Sequence, residues 1–446
     1  MAIVGTASKP GILINREFAL LWTGRLLSVL GDNLFETTLI VWIASDLAEG
    51  TSWAALTVSG LLAASVVPTF LVGPVAGVFV DRWRSKRRVM IRADAVSALL
   101  ILLLLPIGGI VPLPFLPEGR LPLGVRLGGI FTIVFLASAV AQFFRPASSV
   151  LLRDILPEEA QPRAIGLNQS ADSFALLIGP PLAAPLLFAF GPSWALLLNA
   201  ASFLASIVAA RAIRAVPPAL DVAVEASASG VFRALAEGLR FFRQSRVLVT
   251  LAVALVIAAL GLGALNALDI FFVTENLGVR ADYYGIFSAA LGAGMLVGAA
   301  ISGWFATRIG LERLVWSALA TLGLLVVAYA RLTNFVPGGV AIFLIGAIVP
   351  AINVSVGPIL LRETPRAFLG RVSGTINPLV SAASILGMLA GGILYGGALQ
   401  GFHGRVFGLT IGPLDTIFTG VGALCLLGAA YAFVNLRRAA PPATEQ

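Results

Sequence analysis

The chain has 446 residues, 58% of them hydrophobic and only 12% charged, with a mean hydropathy of +0.96. A soluble protein of this size would expose more apolar surface than water tolerates, so the expected solvent is lipid. The net charge of +8 does not call for nucleic acid, because basic membrane proteins gather Arg and Lys in cytoplasmic loops. A single cysteine, Cys425, excludes an internal disulfide and a cysteine metal site, and a single histidine, His403, excludes a histidine cluster.

The N-terminus, MAIVGTASKPGILINREF, lacks a basic region followed by a small-residue cleavage site, so no cleaved signal peptide is expected. Six apolar stretches then follow, at 18–45, 54–80, 88–111, 127–149, 164–189 and 193–213. Each is long enough to cross a bilayer, which takes about 20 residues. The polar segment 214–246 comes next. AVPPALDVAVEASASG reads as linker. VFRALAEGLRFFRQSR places Phe232, Leu235, Leu239 and Phe242 on one face, an amphipathic helix for the membrane interface. Six more spans fall at 247–274, 284–306, 311–331, 337–361, 371–396 and 411–436. A β-barrel is excluded, since its strands would alternate over about 10 residues. The expected fold is all-α, with twelve transmembrane helices in two six-helix bundles, 1–213 and 247–446, joined by 214–246.

With the N-terminus inside, the inside loops hold most of the 30 Lys and Arg, including the cations of DRWRSKRR. The outside loops hold only Arg120, Arg126, Arg280, Arg331 and Arg405. Both termini are therefore expected on the cytoplasmic side of the cell inner membrane. The two halves also repeat. At an offset of 208 residues, Gly166 matches Gly374, Ala175 matches Ala383, Gly179 matches Gly387, and Ala183-Ala184 match Gly391-Gly392. LLRD at 151–154 returns as LLRE at 360–363. Transporters are built from such repeats, with the site between them near the midplane.

Two stretches carry a family resemblance. In GPVAGVFVDRWRSKRRVM, residues Gly77, Asp81, Arg82, Arg87 and Arg88 resemble the GxxxDRxGRR signature of the major facilitator superfamily, with one extra residue and no glycine after the Arg. The equivalent place in the second half, GWFATRIGLERL, has Thr307 instead of the acid. In span five, Gly166, Ala175 and Gly179-Pro180 resemble the antiporter motif of the family's drug exporters, with three glycines softened to alanine. The sequence AQFFRPASSVLLRDILPEE and the pair Gly31-Asp32 are similar to the subgroup of macrolide-efflux proteins and the enterobactin exporter. The resemblance implies a major facilitator fold and a drug:proton antiporter. The signature implies a cytoplasmic gate in which Asp81 meets the N-terminus of span eleven, near Arg371, where a helix dipole favours an anion. Arg92, Asp94 and Arg145, near the cytoplasmic ends of spans three and four, read as part of that gate. Gly179-Pro180 reads as the bend of span five.

Span one is the informative anomaly. RLLSVLGDNLFETTLI puts Arg25, Asp32 and Glu36 along one helical stripe, inside apolar sequence. A charge at the bilayer centre costs about 2.5–3.5 kcal/mol or more, so these groups must face protein or a wet cavity. Two roles stay open: proton exchange or cation recognition in the cavity, and a structural pair that holds span one to a neighbour. Asn33, Asn168, Asp172, Asn266, Asp269 and Asn377 are further candidates for lining the cavity. The expected function is a proton-coupled exporter of amphiphilic small molecules acting as a monomer, with the substrate, protons and bilayer as partners. The alternative is a facilitator or flippase for a lipid-like metabolite. No enzyme, cofactor, metal or nucleic-acid role is expected, because the chain offers little nucleophile–base or ligand chemistry.

Overall fold

A computed structural model describes residues 14–83, 85–114, 121–214, 244–364, 369–402, 404–406 and 409–437. It contains twelve helices long and apolar enough to cross a membrane. The first half runs α1 Arg16–Trp42, α2 Ala54–Leu71, α3 Gly73–Arg82, α4 Lys86–Ile107, α5 Leu123–Ile155, α6 Gln161–Phe190 and α7 Ser193–Ala212. The second runs α8 Arg246–Phe271, α9 Tyr284–Ile309, α10 Leu311–Tyr329, α11 Phe335–Glu363, α12 Leu369–Ile393 and α13 Pro413–Arg437.

The expected second span is two helices, α2 and α3, joined at Val72. Pro68 and the Gly73-Pro74 pair explain the break, because proline offers no N–H to the ladder and crowds the preceding turn. A short antiparallel hairpin, β1 Gly404–Val406 with β2 Leu409–Ile411, stands in the last loop where only loop was expected. Most of the connector, and with it the expected amphipathic helix, lies outside the described residues.

The halves share their wiring. In the first, α1 packs on α6 and α7, and α4 packs on α5 and α7. In the second, α8 packs on α12 and α13, and α10 packs on α11 and α13. The matched helices α1 and α8 even start and end alike. Asn15 caps α1 by accepting from the Phe18 N–H, and Ser245 caps α8 by accepting from the Leu248 N–H. Each then closes in a five-residue π-helical turn, Ile43–Leu47 and Phe272–Asn276.

Two symmetric seams join the bundles, α6 on α9 and α2 on α12. They are close because glycine lies in them. A Cβ on Gly285 of α9 would stand 2.1 Å from the Pro180 carbonyl oxygen, and one on Gly392 of α12 would stand 2.3 Å from Ser59 Oγ. Gly292 meets Leu176, and Gly396 meets Ser52. All these contacts lie in the half of the molecule away from the chain termini. Among the described residues, no contact of this kind joins the bundles in the half nearer the termini.

Candidate functional site

Asp32 and Glu36 sit mid-way along α1 and are nevertheless exposed, while the residues around them, Gly31, Leu34, Phe35 and Thr37, are buried. The Ser65 hydroxyl of α2 donates to Glu36 Oε1 at 3.4 Å. Tyr284 of α9, in the opposite bundle, lies within electrostatic reach of Glu36. Glu36 therefore faces the space between the bundles. Asp32 stands between Asn199 of α7 and Arg145 of α5, with Glu36 one turn away. Arg145 is exposed and close enough to act on that charge, yet no ion pair closes between them.

Arg25, on the same stripe, is held by another helix. Its Nη2 donates to both carboxylate oxygens of Asp172 on α6, at 2.9 and 2.8 Å. The pair ties α1 to α6. Asn33 turns back on its own helix, donating to the Val29 carbonyl at 2.8 Å. Its Cβ stands 2.8 Å from a Cβ placed on Gly179 of α6. Ala175 is fully buried, whereas Gly166 is exposed and a Cβ there would touch nothing. Asn168 is half-buried.

Asn266 and Asp269 part company. Asn266 is exposed, but Asp269 is buried and accepts from the Tyr329 hydroxyl at 2.7 Å. The expected cavity role for Asp269 is thus corrected. Three residues turn the helix by about 300°, which here puts Asp269 on the face toward α10 and not toward the opening. Asp94 is likewise corrected. It is buried against Ser206 of α7 and does not join Arg145 in a gate. Arg87 binds the Ile213 carbonyl at 2.5 Å, within its own bundle. Arg88 and Arg92 instead line a separate cavity of about 400 Å³ with Trp83, Val96 and Phe143, which contains neither Asp32 nor Glu36. Gly77 has open space where a Cβ would stand. The side chains of Asp81, Arg82, Asn377 and residues 371–375 lie outside what is described, and so does the expected gate contact.

Asn199, Ser202 and Ser206 went unremarked in the sequence, although their spacing along one span put three polar groups on one face. All three are buried.

Two six-helix halves with matching contacts, a seam on one side and exposed acids between them define a membrane transporter and not an enzyme. The chain belongs to the Major Facilitator Superfamily, whose model matches residues 21–388. It is 25% identical to the MFS-type transporter YkuC of Bacillus subtilis (strain 168), over 97% of this chain and 95% of that one. It is 22% identical to macrolide efflux protein A of Streptococcus pyogenes, over 84% and 88%. Among solved structures, the nucleoside transporter NupG aligns over 94% of this chain and 99% of its own with a TM-score of 0.73 at 12% identity. A bacterial homologue of the iron transporter ferroportin, in an inward-facing state, aligns over 95% and 98% with a TM-score of 0.67 at 16% identity.

Proposed function

We propose that this chain is a proton-coupled exporter of amphiphilic small molecules of the macrolide or siderophore kind, working by alternating access in the cytoplasmic membrane with both termini inside. The observation that carries the reading is Asp32: a carboxylate exposed mid-span, beside Arg145 and unpaired. Such an acid can take a proton on one side and release it on the other as the cavity changes access. Likeness to macrolide efflux protein A supports export, and the excess of Arg and Lys in the loops beside the termini supports the orientation. With that orientation, the seams α6–α9 and α2–α12 close the outer side, and the conformation is inward-facing.

The test is a drug-susceptibility panel combined with proton flux in proteoliposomes. Asp32→Asn should fold and insert but lose uphill export of a radiolabelled macrolide and the accompanying proton flux. Glu36→Gln, one turn nearer the outside, should be milder. Undiminished uphill export by Asp32→Asn removes Asp32 from coupling. Asp81 is proposed as the cytoplasmic latch on α12. A cysteine at Ser373 in a Cys425→Ser background should label faster from the cytoplasm when Asp81→Asn is added, since an anion–dipole contact contributes about 0.3–1 kcal/mol. Equal labelling rates mean that Asp81 only fixes topology.

A further inference from the structure

The first bundle contains a second carboxylate that the central cavity does not use. Asp94 is 3% exposed, and no ion pair holds it among the described residues. The Ser206 hydroxyl of α7 lies within hydrogen-bonding reach, but Asp94 Oδ2 has no partner. From α1, Asp32 is near enough for its charge to act on Asp94. From α5, Arg145 acts on Asp32. On its own helix, Arg92 is exposed. On α1, Arg25 is taken by Asp172.

Between the two acids runs a polar seam. Ser206, Ser202 and Asn199 follow one another along α7, all buried. Glycines on α1 let it lie on them: a Cβ on Gly31 would stand 2.5 Å from Ser202 Oγ and 2.8 Å from Asn199 Oδ1, and one on Gly24 would stand 3.3 Å from the Ser206 Cα. Ser202 donates to the Asn199 backbone carbonyl at 2.7 Å. The side-chain amide of Asn199, on a residue only 1% exposed, lies beside Asp32. Seven residues separate Asn199 from Ser206, a rise of about 10 Å, so the seam runs from the level of Asp32 to the level of Asp94. That separation is too long for one metal ion to bridge the two carboxylates, but short enough for the charge of one to act on the other.

We propose that Asp94 is a second proton-binding site whose occupancy is coupled to that of Asp32 along this seam. The inference rests on the reading of Asp32 as the coupling acid and deepens it. At each acid one O–H bond forms as the carboxylate takes up a proton and breaks as the proton is released, and the charge left on one acid alters uptake by the other. Ser206 at the Asp94 end and Asn199 at the Asp32 end keep their own protons throughout.

The test is infrared difference spectroscopy of the full-length protein in liposomes, stepped between acid and alkaline buffer in H₂O and D₂O. It needs no substrate. Among the titrating protonated-carboxyl bands of the wild type, subtraction of the Asp94→Asn and Asp32→Asn spectra should assign one band to each of the two acids, apart from those of Glu36 and Asp269. Asp94→Asn should remove one and move the pH midpoint of the other, and Asp94→Glu should restore two. Ser206→Ala, which keeps both acids, should shift the frequency of the Asp94 band, and it serves as the readout if Asp94→Asn fails to fold. Asp32→Asn should leave the Asp94 band present. The proposal is overturned if Asp94→Asn removes no band, if the Asp32 midpoint stays fixed, or if Ser206→Ala leaves the Asp94 band unmoved. Failure of Asp32 as the coupling acid is read separately, as uphill export by Asp32→Asn with the Asp94 band intact.

Discussion

Arg25 and Asp172 join α1 to α6 through two hydrogen bonds from one guanidinium nitrogen, and the pair is only partly exposed. Removing one partner strands the other in a region with little water. Arg25→Ala or Asp172→Ala should therefore lower stability by about 1–3 kcal/mol, between the values for exposed and buried pairs. The double variant should lose clearly less than the sum of the singles, because neither charge is left behind. Thermal unfolding in detergent reads this; strictly additive losses mean the pair contributes nothing. The stripe of Arg25, Asp32 and Glu36 was legible in the sequence, since helical periodicity places residues on a face. What was not legible is which helix stands opposite each turn. Arg25 meets an acid of α6, whereas Glu36 meets Ser65 and the opening between bundles.

At the level of helices, the small residues of α6 divide by what they touch. A Cβ on Gly179 would come within 2.8 Å of Asn33 Cβ and 3.4 Å of the Leu34 backbone nitrogen. Gly179→Ala should push α6 off α1 and cost about 1–3 kcal/mol. Gly166, with nothing within 4 Å, is the internal control. Gly166→Ala should be neutral, or stabilising by up to about 1 kcal/mol from helix propensity. Melting midpoints that fall equally in the two variants would show that the motif acts through backbone flexibility and not through packing. The spacing of small residues announced a tightly packed helix, and the twelve spans were legible because the bilayer sets their length. The break at Val72 and the burial of Asp269 against Tyr329 were not, because both depend on neighbours far away in sequence.

For the whole molecule, alternating access requires the outer seams to part. Gly396 and Ser52 approach closely there, with a Cβ on Gly396 standing 2.6 Å from the Ser52 carbonyl oxygen. Ser59, further along the same seam, is fully buried and packs against Gly392. In a Cys425→Ser background, a cysteine at Ser59 should resist an impermeant thiol reagent at rest and label from outside during turnover. A cysteine there that stays protected while transport runs means that α2 and α12 need not separate.

The glycines of the second bundle carry a consequence for how this chain can change over generations. On Gly263, Gly294, Gly298, Gly346 and Gly387, an added Cβ would sit 2.0–2.2 Å from a backbone oxygen of the neighbouring helix. A backbone oxygen cannot rotate aside as a side chain can. No compensating substitution on the partner helix restores room, because the obstacle is the part of the residue common to every amino acid. Drift in this half is therefore confined to other positions, Gly303, Gly339 and Gly357 among them, where a Cβ would meet nothing within 4 Å. The shape of the second bundle is thus written in contacts that selection cannot trade against one another.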